Sequence, residues 1–256
     1  MKPFKFIISV LLLNLLNACV PYKNIVYMQG DMPKDSIQEF NYKIQKNDIL
    51  YIKINSGDET INRMFNTGSN TNINRASAST LYFEGYTVDK EGYINLPVIN
   101  KIKVAGLKFS QVQELIKKQL LYHQFKSVND IYIKVKLAGV PYTVIGEVKQ
   151  AQTGVLYKEN PTVFDVLGDA GDIQLTGNRK KIVIIRNENN VQVKKTLDLT
   201  QPDIVQSPYF YIRPNDIVYV PPLRQKTWGT GATLQQTISS AITALSLITT
   251  IILLSR

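Results

Sequence analysis

The chain has 256 residues, 44% of them hydrophobic and 20% charged, with 30 Lys and Arg against 20 Asp and Glu and a formal net charge of +10. Its one cysteine excludes an intrachain disulfide, and with a single histidine it leaves no basis for a structural zinc site. The basic excess fits an anionic partner: nucleic acid, anionic lipid or an acidic polymer.

Lys2 and Lys5 precede a short apolar run, Phe6 to Leu16, broken only by Ser9 and Asn14. Leu16-Asn17-Ala18-Cys19 then sets a small residue directly before the only cysteine. The pattern is an export signal over 1–18 whose end resembles a bacterial lipoprotein cleavage box, with Cys19 as the lipidation site. Acyl chains anchor firmly, because each buried methylene contributes about 0.8 kcal/mol. Loss of Lys2 and Lys5 with the signal leaves 28 basic and 20 acidic side chains, a net charge of +8. Export to the envelope argues against nucleic acid as the partner. The small basic clusters Arg179-Lys180-Lys181 and Lys194-Lys195 read by default as solvated loops.

Residues 19–40 read as a lipidated tether, punctuated by Pro21, Gly30 and Pro33, in which Ile25-Val26-Tyr27 could add a short strand. From Tyr42 the pattern is β-like: a turn at Asn47-Asp48, then alternation of Leu50, Ile52 and Ile54 against Ile49, Tyr51 and Lys53. The Asn-, Ser- and Thr-rich residues 55–80 interrupt it, with one helical turn near Ile61–Phe65. Leu81–Val88 and Gly92–Pro97 read as strands joined into a hairpin by Asp89-Lys-Glu-Gly92. Ile102–Val104 gives another strand. Ser110 reads as the cap of a helix carrying Val112, Leu115, Ile116 and Leu120 and ending near Tyr122–Phe125, before a strand over Asp130–Leu137.

A second unit follows. Tyr142–Val148 and Gly154–Tyr157 read as strands, and Thr162 caps a short helix through Val163, Val166 and Leu167 to Ala170-Gly171. A hairpin, Lys181–Arg186 with Val191–Leu197, turns around Asn187–Asn190, and Tyr211–Val220 closes the unit before Pro221-Pro222. This order predicts an α+β class with two compact domains, 41–138 and 139–222, rather than one sandwich. The two echo each other: Asn47-Asp48-Ile49-Leu50-Tyr51-Ile52 and Asn215-Asp216-Ile217-Val218-Tyr219-Val220 share four of six residues. Asp48 and Asp216 read as turn residues whose side chains bond backbone amides.

After a linker, 223–233, comes an uncharged run over 234–254 that would span roughly 31 Å as a helix, near the hydrocarbon thickness of a bilayer. Ser239, Thr243, Ser246 and Thr250 share one helical face, with Ile238, Ala241, Leu245, Ile248 and Ile252 roughly opposite. Two readings stay open: an ordinary membrane anchor whose hydroxyls bond back to their own backbone, or a lumen-lining helix that, in a ring of copies, encloses water. Trp228, after Arg224 and Lys226, reads as the anchor at the membrane interface, with Gly229 and Gly231 allowing the chain to turn.

Catalysis is absent from this pattern. His123, at a helix end, reads as a surface or capping residue. Asp165, Asp169 and Asp172, a conceivable set of paired carboxylates, flank a short helix and read as helix-end polarity. No metal-ligand spacing and no phosphate loop occur, so no cofactor or metal is expected.

The quoted segments resemble the outer-membrane polysaccharide export lipoproteins, the Wza-type translocons. Tyr42–Ile54, Tyr86–Pro97 and Val104–Leu107 resemble their polysaccharide export domain. Val144–Val148, Thr162–Gly171 and Asp216–Pro221 resemble a soluble-ligand-binding β-grasp (SLBB) domain. Asn100 stands where glycine is common. A further β-grasp repeat seen in long members has no counterpart before the terminal run, as in the short form of the Bacteroides group. The resemblance implies a non-enzymatic subunit of a homo-oligomeric, octameric ring exporting capsular polysaccharide or exopolysaccharide. It further implies an acyl anchor and a transmembrane helix over 234–256 in the outer membrane, β-rich domains in the periplasm, the C-terminus outside, and an inner-membrane co-polymerase, often a tyrosine autokinase, beneath. The alternative is a non-pore envelope lipoprotein that binds glycan through its β-grasp domain.

Overall fold

The computed structural model describes residues 21–34, 40–65, 82–123, 131–188 and 191–227, and beyond these residues 239, 242–243, 245–247, 249–250 and 253. The first unit is built on strand β1 (Ile49–Ser56), which pairs antiparallel with β2 (Tyr86–Thr87) on one side and β5 (Ile131–Leu137) on the other. The register Leu50↔Leu137, Ile52↔Val135, Ile54↔Ile133 sets the apolar alternation of both strands on one face. Helix α2 (Phe109–His123) covers that face with Val112, Ile116 and Leu120, all essentially buried. Helix α1 (Glu59–Phe65) falls where the helical turn is expected, and a second hairpin, β3 (Tyr93–Leu96) with β4 (Asn100–Lys103), closes the core with Ile94, Leu96 and Ile102.

Three local expectations are corrected here. The Asp89–Gly92 turn forms, with the Tyr93 and Glu91 amides donating to Asp89 Oδ1 at 2.8 and 3.0 Å. One bond crosses it, from the Asp89 amide to Tyr93 O at 2.8 Å, but no strand ladder follows, because β2 pairs with β1 and Tyr93–Leu96 pairs with Asn100–Lys103 in another sheet. The Val88 amide donates to Asp48 O at 2.8 Å, and the Gly92 carbonyl accepts from Val104 and Ala105 at 2.9 and 3.1 Å. Tyr82–Glu84 is helical rather than extended. Ser110 lies inside α2 rather than capping it; the Lys108 amide donates to the side chain of Gln111 at 2.9 Å, which fixes the cap two residues earlier.

The second unit has a five-stranded sheet in the order β7-β6-β10-β8-β9, from β6 (Val140–Gly146), β7 (Gln152–Leu156), β8 (Ile182–Glu188), β9 (Val191–Leu197) and β10 (Asp216–Val220). The central pair β6–β10 is parallel and the others antiparallel. Helix α3 (Val163–Asp169) buries Val163, Val166 and Leu167 in this unit's core. As expected, Thr162 is its N-cap, in a reciprocal capping box with Asp165. Gly146 is required where β6 ends: at φ +98 an added Cβ would sit 2.1 Å from the Val220 carbonyl oxygen. The apolar cores are separate, one drawn from residues 44–135 and the other from 140–220, with Leu137 packed against both.

The tether is part of the second unit. Tyr22–Asn24 is a 3-10 turn, Ile25-Val26-Tyr27 forms turn and bend rather than the short strand expected, and the Met28 and Gln29 amides donate to Leu199 O and Thr200 O at 3.0 and 2.8 Å. Arg179 contradicts its reading as solvated: it is 4% exposed, donates to Ile173 O at 2.7 Å and lies over the Tyr27 ring, 5.1 Å from its centroid. At the far end, helix α4 (Arg224–Thr227) is tied back by Lys226, which donates to Glu147 Oε1 at 2.6 Å. Burial of Glu147 is outweighed by Lys226 and Thr176, which hold its carboxyl below the usual range.

Candidate functional site

The repeated sequences make the same turn twice. Asn47 and Asn215 both take φ 67, the left-handed region that asparagine tolerates. Behind each, an aspartate folds inward: Asp48 accepts from the Gln45 amide at 2.7 Å, and Asp216 from the Arg213 amide at 2.8 Å. Both are therefore turn residues, as read from the sequence, and both are buried, at 4% and 1% exposure. Their further partners differ. Asp48 also accepts from the Tyr42 hydroxyl at 2.7 Å, and burial raises its pKa to about 6 against those hydrogen bonds. Asp216 accepts from the guanidinium of Arg186, at 2.9 Å from Nε and 2.6 Å from Nη2, in a pair sealed from solvent. Arg186 also donates to Tyr211 O at 2.7 Å and lies against the Tyr209 ring. Removing one member of such a pair costs about 3–5 kcal/mol, so this pair locks the second turn to β8.

A chain of aromatic rings joins the units. Phe109 at the start of α2 stacks with Tyr42 (centroids 6.1 Å), Tyr42 with Phe40 (5.8 Å), and Phe40 contacts Tyr211 of the second unit (5.3 Å). From Tyr211 the chain continues through Phe210 (5.2 Å) and Phe164 (6.1 Å) to Tyr27 of the tether (5.7 Å). Seven rings thus link the tether, the second unit and the first. Clefts open on both sides of the Asn41-Tyr42 segment. One, of about 570 Å³, is lined by Phe40, Phe109, Tyr157, Lys136 and Lys158 among others; the larger, of about 920 Å³, lies between the two repeated turns. Both offer charge and hydrogen bonds rather than a nucleophile with its base.

The sequence-singled carboxylates fall to local structure. Asp165 holds the N-terminus of α3 and pairs with Lys158 at 2.8 Å; burial raises its pKa, but Lys158 and Thr162 outweigh this and hold it low. Asp169 accepts from Tyr142 and, at 2.9 Å, from Gln152. Asp172 accepts from the Tyr27 hydroxyl and the Ile173 amide, at 2.5 and 2.6 Å. His123 is the last residue of α2. Ser239, Thr243, Ser246 and Thr250 are all helical and exposed. Thr243 donates to Ser239 O at 2.9 Å, Ser246 to Thr243 O at 2.8 Å, and Thr250 to Ser246 O at 2.8 Å. Among the described residues no helix is long and apolar enough to cross a membrane. The helix expected over 234–256 thus has no support there, and most of that run, with Cys19 and Trp228, lies outside the described residues.

The comparisons with known proteins bear on the first unit. Residues 37–138 match the family described as polysaccharide biosynthesis/export protein. The match covers β1 to β5 with the turn at Asp48, under half of the chain. A comparison with curated proteins returned no match. The matched family is one of polysaccharide biosynthesis and export proteins, and the match lies within the first unit. The residues missed in sequence are Phe40 and Tyr211 at the junction and Arg186 behind the second turn, which carry no local signal, whereas the repeated Asn-Asp turns were visible as turns but not as the walls of a cleft.

Proposed function

We propose that this chain is the subunit of a homo-oligomeric pore that carries capsular polysaccharide or exopolysaccharide across the outer membrane. The observation that carries the proposal is the export-family match over 37–138, on a chain that starts with a lipoprotein-type signal. The strand order of the second unit, with one helix between its second and third strands and a parallel central pair, supports reading it as a β-grasp (SLBB) domain suited to assembly or partner docking. In this reading acylated Cys19 and a transmembrane helix over 234–256 hold the protein in the outer membrane, and Trp228 marks the interface. The two units build a periplasmic ring, octameric by resemblance, above an inner-membrane co-polymerase or tyrosine autokinase. Ser239, Thr243, Ser246 and Thr250 face the shared lumen. Polymer synthesis behind the pore supplies the drive, with no cofactor on this chain.

One observation favours the second reading, a non-pore lipoprotein that binds glycan. The hydroxyls of Thr243, Ser246 and Thr250 donate back to their own helix, which satisfies these three without a wet lumen. A tag placed after Arg256 separates the two. The pore predicts antibody labelling on intact cells; labelling only after the outer membrane is broken rejects the pore and leaves the glycan-binding lipoprotein.

A further inference from the structure

The larger cleft has a composition that the turn chemistry explains. One wall is the first turn, with Lys43, Gln45, Lys46 and Asn47, and the other is the second, with Arg213, Pro214 and Asn215. Lys90, Asn187 and the Ala105-Gly106 segment also line it, with buried Tyr42, Ile44 and Asp48 at its floor, and Asn41 lies on the segment between the units. Each turn withdraws its carboxylate inward, onto the Gln45 and Arg213 amides, so the acid that sequence places beside these cations is absent from the surface. Lys43, Lys46 and Lys90 are exposed and make no ion pair with another described residue; Arg213 approaches Glu188 only at 3.8 Å. A concave surface of about 920 Å³ is thereby left with four cations, and the exposed amides of Asn41, Gln45, Asn47, Asn187 and Asn215 provide both donors and acceptors.

Those groups select a class of ligand. Unpaired ammonium groups attract negative charge, and side-chain amides match hydroxyls, which also donate and accept. Stacking is not on offer, since Tyr42 is the one aromatic residue of the lining and is 5% exposed. A neutral sugar held mainly on an aromatic face, or a nucleobase, has no platform here. We infer that this cleft binds an acidic saccharide, a carboxylate-bearing stretch of the exported polymer. The inference rests on the export reading and adds the charge class of the cargo and the place where it touches the periplasmic units.

Titration calorimetry of the full-length protein in detergent tests it, with hexagalacturonate, maltohexaose, hexaglutamate and inorganic phosphate as probes. The expected result is hexagalacturonate binding that weakens with added salt and is at least about tenfold tighter than that of the other three. The double substitution Lys46→Gln with Lys90→Gln lowers that affinity about tenfold, while Lys194→Gln with Lys195→Gln, on exposed β9, leaves it unchanged. Equal binding of maltohexaose overturns the acidic preference but leaves the export reading standing. Equal binding of hexaglutamate reassigns the cleft to an acidic protein segment, and equal binding of phosphate makes it a simple anion trap; either result overturns the inference. No binding of any probe, or equal loss in both double variants, also overturns it. Because binding is read on purified protein, none of these outcomes depends on whether export occurs.

Discussion

Asp48 shows how one side chain sets both a turn and a pH dependence. Its carboxylate accepts from Gln45 and Tyr42, yet burial dominates and lifts its pKa from the ordinary 3.8 to about 6. The folded state therefore holds a proton that the unfolded chain releases. Its stabilising contribution is fully present below pH 3.8, falls as pH rises from there to about 6, and is lost above that. Asp48→Asn keeps an oxygen for the Gln45 amide and removes the titration. Denaturant midpoints should therefore fall between pH 4 and 6 in the parent by more than in the variant; parallel profiles would contradict this account of Asp48. The role of Asp48 was legible because Asn-Asp before an apolar strand is a local device. The partner of Asp216 was not, since Arg186 lies 30 residues away and a buried pair leaves no mark on spacing.

At the scale of elements, the β3–β4 hairpin carries local strain. The Ile99 amide donates to Pro97 O at 2.7 Å, closing a three-residue turn around Val98 at φ 69, a conformation in which a β-branched side chain is crowded. Asn100 follows at φ 63, in the left-handed region that asparagine tolerates. Val98→Gly should stabilise the protein by about 1 kcal/mol, read as a higher denaturant midpoint with unchanged slope; a lower midpoint would show that the half-buried valine side chain is worth more than the strain. Elements governed by near neighbours were legible in sequence: β1 with its alternation, α3 with its Thr162 box, the β8–β9 hairpin. The supposed hairpin across Asp89–Gly92 failed because its arms belong to different sheets, and partner choice at a distance leaves no trace in a tight turn. The cap of α2 moved by two residues, to Lys108, because Gln111, rather than Ser110, supplies the capping oxygen.

Across the whole molecule, the ring chain from Tyr27 to Phe109 makes two separately cored units respond together. Phe40 is the link, touching Tyr42 on one side and Tyr211 on the other, and each such pair contributes roughly 0.5–1.5 kcal/mol. Phe40→Ala should split the calorimetric unfolding of the full chain into two transitions, whereas one unchanged transition would place the coupling elsewhere. None of this was readable from the sequence, since its rings come from five distant segments. The export assignment was readable, because the first unit's turns and strands are contiguous. The most direct test of that assignment is surface polymer in cells that lack the protein, supplied either with the full chain or with a chain ending at residue 233. The account predicts that the full chain restores polymer to the cell surface while the shortened chain, still folded and acylated at Cys19, leaves it in the periplasm. Equal surface polymer from the two would contradict it.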